Sequence, residues 1–152
     1  MKFEDYSISN TIKTNLEKKG FRRPTDIQFK AIPPVLRGED VLAIAQTGTG
    51  KTAAFAIPVI HNIQQAKLNQ HIQGISCLVM VPTHELAKQI NEVFVSISKN
   101  TGVKTTVIIG GVDQDPQIDR LKTGTDVLVA TPGRLFDLVS QGHLKLHGVK
   151  TL

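Results

Sequence analysis

The sequence has little of several residue types, and each shortage excludes something. Its 152 residues include a single cysteine, Cys77, so no internal disulfide can form. There is no tryptophan, and aromatic residues make up 5% of the chain, which leaves Ile, Val, Leu and Ala to build the core. No apolar run approaches the roughly 20 residues that span a bilayer. Met1–Tyr6 lacks the basic start and apolar run of a secretory signal. These absences favour a cytoplasmic protein without a membrane partner.

The remaining composition is that of a single globular domain. Hydrophobic residues make up 40% of the chain and charged residues 20%, which allows a packed core and argues against disorder. The formal net charge is +5. This excess permits a polyanionic partner such as nucleic acid, but charge alone does not demonstrate one.

Short apolar segments alternate with segments of helical periodicity. The apolar segments predict buried strands over Val41–Ala45, Ser76–Val81, Thr105–Ile109 and Asp126–Ala130. Helices are predicted over Ser9–Lys19, Thr25–Leu36, Gly50–Ala66, Glu85–Lys99, Pro116–Lys122 and Gly133–Gln141. The polar segment Lys67–Gly74 is expected to be a surface loop. The alternation predicts an α/β fold, with a mostly parallel sheet and helices on both of its faces.

A phosphate-binding pattern follows the first predicted strand. The residues Ala-Gln-Thr-Gly-Thr-Gly-Lys-Thr fit a P-loop, with alanine in place of the first glycine. Two glycines let the backbone curl so that N–H groups face a phosphate, and the following helix adds its positive end. The lysine supplies a mobile charge for the β- and γ-phosphates, and the last threonine can ligate Mg²⁺. Lys51 and Thr52 are also the candidate catalytic residues, and Thr52 is the candidate metal ligand. The full candidate phosphate site is Ala45, Gln46, Thr47, Gly48, Thr49, Gly50, Lys51 and Thr52. The pattern alone leaves the nucleotide and the reaction open, and a small-molecule kinase and a GTPase both fit it.

Motifs on both sides of the P-loop decide between these classes. Gly20–Gln28 reads Gly-Phe-Arg-Arg-Pro-Thr-Asp-Ile-Gln, and Pro82–Ala87 reads Pro-Thr-His-Glu-Leu-Ala. A Gly-Gly pair at 110–111 and the sequence Thr-Pro-Gly-Arg at 131–134 follow in order. In these motifs the whole chain resembles the DEAD-box RNA helicases, most closely the bacterial RhlE type. The resemblance implies a RecA-like fold that binds ATP and Mg²⁺.

Gly20–Gln28 resembles the family's Q motif and predicts the base that is bound. The Gln28 carboxamide carries a donor beside an acceptor, which matches the N6/N7 edge of adenine and not the two acceptors of guanine. Phe3 matches an isolated aromatic upstream of the motif and could stack on the base. The resemblance also places Arg23 at the nucleotide site.

The downstream motifs predict contacts with RNA. Each follows a predicted strand, so the motifs should meet at the carboxyl edge of the sheet, where helix N-termini offer free N–H groups to phosphates. The resemblance implies that they hold one RNA strand by its phosphates and 2′-hydroxyls, independently of sequence. The candidate residues are Pro82, Thr83, His84, Gly110, Gly111, Thr131, Pro132, Gly133 and Arg134. His84 departs from the family's arginine and lacks its permanent, bidentate charge.

The chain also departs from the family by length. No Asp-Glu-Ala-Asp sequence is present, and no Asp or Glu follows Asp137. We therefore expect residues 1–37 to form a Q-motif helical region and residues 38–152 an incomplete RecA-like domain. The resemblance places the missing strand inside the sheet, so its neighbours should expose apolar edges. In the parent helicase, a second RecA-like domain would complete the site. The alternative for the isolated chain is a non-hydrolysing nucleotide- or RNA-binding module.

Overall fold

The sheet is built around its last strand. The computed structural model describes residues 1–152. Strands β1 (Cys77–Met80), β2 (Thr105–Ile108) and β3 (Val127–Ala130) form one sheet in the order β1-β3-β2, and both pairings are parallel. The helices are α1 (Asn10–Lys18), α2 (Asp26–Leu36), α3 (Lys51–Gln70), α4 (His84–Ser98), α5 (Asp115–Lys122) and α6 (Pro132–Ser140), preceded by a short 3₁₀ helix at Phe3–Asp5. The predicted α/β class and parallel sheet are confirmed.

Helices cover both faces of the sheet. Alternate residues of β3 point to opposite sides. Val127 and Val129 join the larger core, to which helices α1 to α4 contribute. Leu128 and Ala130 join a second core with residues of α5 and α6. Because β3 is buried on both faces, its near-continuous apolar sequence is that of a central parallel strand.

Side-chain caps set the start of several helices. The Ser9 hydroxyl accepts a hydrogen bond from Ile12 N at 3.3 Å, and the Thr83 hydroxyl accepts one from Leu86 N at 3.2 Å. At α2, Thr25 and Gln28 form a reciprocal capping box. The predicted helix boundaries are therefore close to the observed ones.

The predicted loop Lys67–Gly74 is wrong in its first half, because α3 continues to Gln70. Lys67 lies in that extra turn. Its Nζ donates to Gly102 O at 2.8 Å and to Asp126 Oδ2 at 2.9 Å. This contact joins the end of α3 to Asp126, the residue that precedes β3. The sequence did not predict the extra turn, because a single charged side chain in a polar segment produces no helical periodicity.

The predicted strand Val41–Ala45 is also wrong. These residues carry no strand and take part in no backbone–backbone hydrogen bond. Leu42 and Ile44 are 92% and 89% exposed. A strand is stable only when a neighbour pairs with its N–H and C=O groups, and this segment has none. The segment has the apolar sequence of a buried strand. Its apolar side chains are exposed because no neighbouring strand pairs with it and covers them.

The free side of β1 is only partly paired. Thr151 forms an isolated parallel bridge with Cys77, and Leu78 N donates to Thr151 O at 2.9 Å. Lys150 N donates to Ser76 O at 2.9 Å. Residues 150–151 thus lie along the first half of β1. Met80, at the other end of that strand, is exposed.

Cys77 is a core residue, as the sequence predicts. It is buried in β1, and that burial raises the pKa of its thiol to about 12. None of the helices has the length and apolar character needed to cross a membrane.

A histidine fixes α1 on α3. The Nδ1 atom of His61, in the middle of α3, accepts a hydrogen bond from Ser9 N at 3.1 Å. Burial of the ring lowers the pKa of His61 below its usual value. The neutral imidazole is therefore the form that accepts this bond, because protonation of Nδ1 removes the acceptor.

We expect the free energy of unfolding to decrease as the pH falls below about 6.5, the ordinary pKa of histidine, and through the lower pKa of folded His61. Above that range the neutral ring is present in both the folded and unfolded chain, and its contact with Ser9 is complete. Thermal unfolding between pH 5 and pH 8 measures the effect. His61→Gln retains an acceptor that does not titrate, so its profile should be flatter than that of the unsubstituted chain. Parallel profiles for the two proteins would contradict this role.

Candidate functional site

The P-loop segment adopts a tight curl that requires glycine. Gly48 and Gly50 have φ values of +78° and +82°, in the left-handed region that side chains disfavour. Gly50 is the N-cap of α3. A Cβ there would also collide with the Gln28 amide nitrogen. The sequence predicted this conformation, and the collision adds a second reason for glycine at position 50.

Lys51 and Thr52 open α3, as predicted. Lys51 is exposed, and its Nζ donates to Ala45 O at 2.7 Å across the loop. Thr52 is half-buried in the first turn. A helix N-terminus, glycine-dependent curvature and a mobile ammonium group together fit a phosphate chain.

The structure contains no group of three or more His, Cys, Asp or Glu side chains placed to hold a metal ion. The Thr52 hydroxyl is a single oxygen ligand. A Mg²⁺ ion bound there would take its other ligands from phosphates and water.

The Q-motif residues hold the P-loop directly. The Thr25 hydroxyl donates to Thr49 O at 2.8 Å, and Gln28 Nε2 donates to Gly50 O at 3.1 Å. Gln28 Oε1 accepts from Thr25 N at 3.0 Å, and the Gln28 side chain is 3% exposed. In this conformation the carboxamide that was predicted to read adenine has both of its polar atoms occupied within the protein. Thr25, for which the sequence predicted no contact, therefore also has a structural part in the site.

A cavity of about 340 Å³ lies beside this junction. It is open to solvent and lies between the start of α2 and the P-loop. Its lining residues are Thr25, Asp26, Ile27, Lys30, Ile44, Ala45 and Thr49. The exposed side chain of Ile44 thus contributes an apolar wall next to the phosphate-binding loop.

Phe3 is placed differently from its predicted role. It is 3% exposed, packs in the larger core, and its ring lies 6.1 Å from that of Tyr6. Stacking on a base would require so buried a ring to leave the core, so in this conformation Phe3 anchors the N-terminus instead. Arg23, the other upstream candidate, is exposed and makes no hydrogen bond or salt bridge.

The three downstream motifs meet at the carboxyl edge of the sheet, as predicted. Thr83 caps α4 after β1, Thr131 caps α6 after β3, and the pair Gly110-Gly111 follows β2. His84 contacts the glycine pair: a Cβ on Gly111 would lie 3.3 Å from His84 Cε1. Pro82, Thr83, His84, Gly111 and Gly133 are exposed, Gly110 and Pro132 are half-buried, and Thr131 is buried. The edge therefore presents backbone more than charged side chains.

Arg134 has internal partners. Its guanidinium donates to Gln117 Oε1 at 3.1 Å and to Val112 O at 2.9 Å. The sequence predicted Arg134 as an added charge for RNA and did not single out Gln117. The only indication in the sequence that Gln117 is buried was its position beside Ile118 on the apolar face of a short helix. That position does not identify a hydrogen-bond partner.

Comparisons with known proteins agree on one family. The family model described as DEAD/DEAH box helicase matches residues 25–152. The chain is 44% identical over 143 residues to the DEAD-box ATP-dependent RNA helicase RhpA of Helicobacter pylori, covering 94% of this chain and 27% of RhpA. It is 41% identical over 152 residues to the DEAD-box ATP-dependent RNA helicase CshA of Streptococcus pneumoniae, covering 100% of this chain and 28% of CshA. The chain thus spans little more than a quarter of the length of these relatives.

A solved structure shows the same fold. The DEAD box protein from the hyperthermophile Methanococcus jannaschii matches with a TM-score of 0.86 and 40% identity, over 98% of this chain and 39% of that one. Such a likeness identifies the observed sheet and helices as RecA-like, in an incomplete form.

Lys51→Ala should weaken triphosphate binding by about 2 kcal/mol, roughly thirtyfold, because a charge-assisted contact with phosphate is lost. The free energy of unfolding without ligand should change by less than about 0.5 kcal/mol, since the side chain is exposed. Titration with a fluorescent ATP analogue and thermal unfolding measure the two effects. Lys122→Ala removes another exposed charge, on α5, and is the control. Unchanged binding together with a large loss of stability would show that Lys51 is structural.

Proposed function

Because the chain belongs to the DEAD/DEAH box helicase family, we propose that it binds ATP with Mg²⁺ at the P-loop and RNA at the carboxyl edge of the sheet. The observation that carries the proposal is the direct bonding of the Q motif to the P-loop, from Thr25 to Thr49 and from Gln28 to Gly50. These contacts support the proposal, because they join the residue that would distinguish bases to the loop that would hold phosphates.

The nucleotide site would work through exchange of partners. Lys51 Nζ donates to Ala45 O in this conformation. A phosphate carries more negative charge than this carbonyl and would compete for the ammonium group. The N–H groups of the loop and of the first turn of α3 would then hold the phosphates, with the Thr52 hydroxyl on the metal ion. Gln28 would release both Gly50 O and Thr25 N, and would then offer its donor and its acceptor to adenine. Bound Mg²⁺ supplies charge neutralisation between the phosphates.

The RNA site would use backbone donors. The exposed turn at Pro82-Thr83 and the start of α6 at Thr131–Gly133 lie at helix N-termini, and the glycine pair lies between them in sequence. Such donors bind phosphates without reading bases. An imidazole at His84, beside Gly111, would add a weaker contact than arginine supplies. An RNA partner also fits the cytoplasmic location that the sequence predicts.

The activity of the whole protein is a further step of the same proposal. RhpA and CshA carry the name ATP-dependent RNA helicase. By that likeness, the protein that contains this chain would close a second RecA-like domain over ATP and RNA, hydrolyse ATP, and separate short RNA duplexes. Phosphoryl transfer requires a residue that orients water and charges that stabilise the transition state. Lys51 and Thr52 supply binding groups only. For the isolated chain we therefore favour a module that binds nucleotide or RNA without hydrolysing ATP.

ATP should bind at least about tenfold more tightly than GTP, the discrimination that one bidentate carboxamide contact provides. Gln28→Ala should reduce this ratio to near unity. It also removes a capping box, so both proteins are first compared by thermal unfolding. Thr25→Val is the matched control: it breaks the bond to Thr49 O but retains the carboxamide, and should weaken both nucleotides equally. Equal affinity of the unsubstituted chain for ATP and GTP would overturn the adenine assignment.

RNA affinity should decrease only weakly as KCl increases, because neutral backbone donors release few counterions, whereas each phosphate neutralised by Lys or Arg would contribute a log–log slope near −0.7. Single-stranded RNAs of different sequence should bind with about equal affinity, because backbone donors do not read bases. DNA of the same sequence should bind more weakly, because it lacks the 2′-hydroxyl. Fluorescence anisotropy over a salt series measures all three. A strong preference for one RNA sequence would contradict the proposed edge.

A further inference from the structure

A buried glutamine connects the two ends of the glycine loop. Gln117, on α5, is 2% exposed. Its Nε2 donates to Ile109 O at 3.1 Å, and its Oε1 accepts from Arg134 at 3.1 Å. The same guanidinium donates to Val112 O at 2.9 Å. The carbonyl groups immediately before and after Gly110-Gly111 are thus joined through two side chains.

The segment between those carbonyls needs such support. Gly111 has a φ of +74°, and two consecutive glycines have the largest conformational freedom of any pair. No strand pairing extends past Ile108 on β2. Ile109 is itself buried, so its carbonyl requires a partner. Gln117 supplies that partner, and Arg134 supplies the one for Val112.

We propose that Gln117 and Arg134 are positioning residues that hold the Gly110-Gly111 loop against the start of α6 for RNA binding. The inference rests on the proposed RNA function of this edge. Arg134 then acts as an internal tie between two motifs and not as a phosphate ligand. Holding the loop in its binding conformation before RNA arrives reduces the entropy that binding has to overcome.

Guanidinium geometry makes this role specific to arginine. Two nitrogens of Arg134 donate in fixed directions to two different acceptors. Lysine retains the charge but presents a single nitrogen on a flexible stem, so it cannot span both acceptors in the same way. A direct phosphate ligand, in contrast, would tolerate lysine well. Arg134→Lys therefore separates the two roles.

The experiment compares RNA binding and loop mobility in four chains: unsubstituted, Arg134→Lys, Gln117→Leu and the double variant. Arg120→Lys, an exposed arginine on α5, is the matched control. Anisotropy with a labelled single-stranded RNA gives affinity and salt slope. Backbone amide order parameters at residues 110–112 without RNA give mobility, and thermal unfolding identifies any variant that does not fold.

Both single variants should bind RNA roughly tenfold more weakly, and the double variant should be no weaker than either one. Arg134→Lys should keep the salt slope, because no phosphate contact is lost. Backbone order parameters at residues 110–112 should be lower in each variant, while Arg120→Lys should match the unsubstituted chain. Arg134→Lys with full affinity and unchanged order parameters would overturn the inference, and this variant alone provides the test should Gln117→Leu not fold. An unsubstituted chain that binds no RNA would instead reject the proposed function, and the order parameters would still test the tie.

Discussion

Parallel pairing on both sides of β3 fixes where the candidate site residues lie. The register aligns Val129 with Val79 of β1 and Val107 of β2, so the three strands end at one edge. Each strand then gives way to a turn or a helix N-terminus, because the chain has to leave the sheet there. Thr83, Gly110 and Thr131 are brought to that edge by backbone hydrogen bonds and burial of β3, and not by contacts among themselves. The position of the proposed RNA surface therefore follows from the geometry of the sheet.

The nucleotide site rests on a different support. In a complete parallel sheet a strand would hold the residues before the P-loop, but residues 41–45 have no pairing partner here. The loop is held instead from α2, by Thr25 and Gln28. Residues 41–45 therefore combine a β-type apolar sequence with exposed side chains at Val41, Leu42 and Ile44, a combination that favours pairing with another chain.

The sequence predicted what depends on local pattern. The helix starts at Ser9 and Thr25, the glycine curl at the P-loop, and the class of the fold follow from spacing and residue type, and all are observed. It did not predict what depends on a distant partner. Val41–Ala45 carries a strand pattern but lacks a neighbour, Phe3 is taken into a core that periodicity does not reveal, and the bond from Gln117 to Arg134 joins residues on separate helices.

The burial of Cys77 turns the only thiol of the chain into a reporter of folding. Alkylating and disulfide reagents react with the thiolate, and a buried thiol with a pKa of about 12 at the start of β1 offers almost none. Modification requires β1 to open, so its rate follows the opening of the sheet and not the solvent accessibility of any loop. Cysteines introduced at the surface could consequently carry fluorescent labels while Cys77 remains in place.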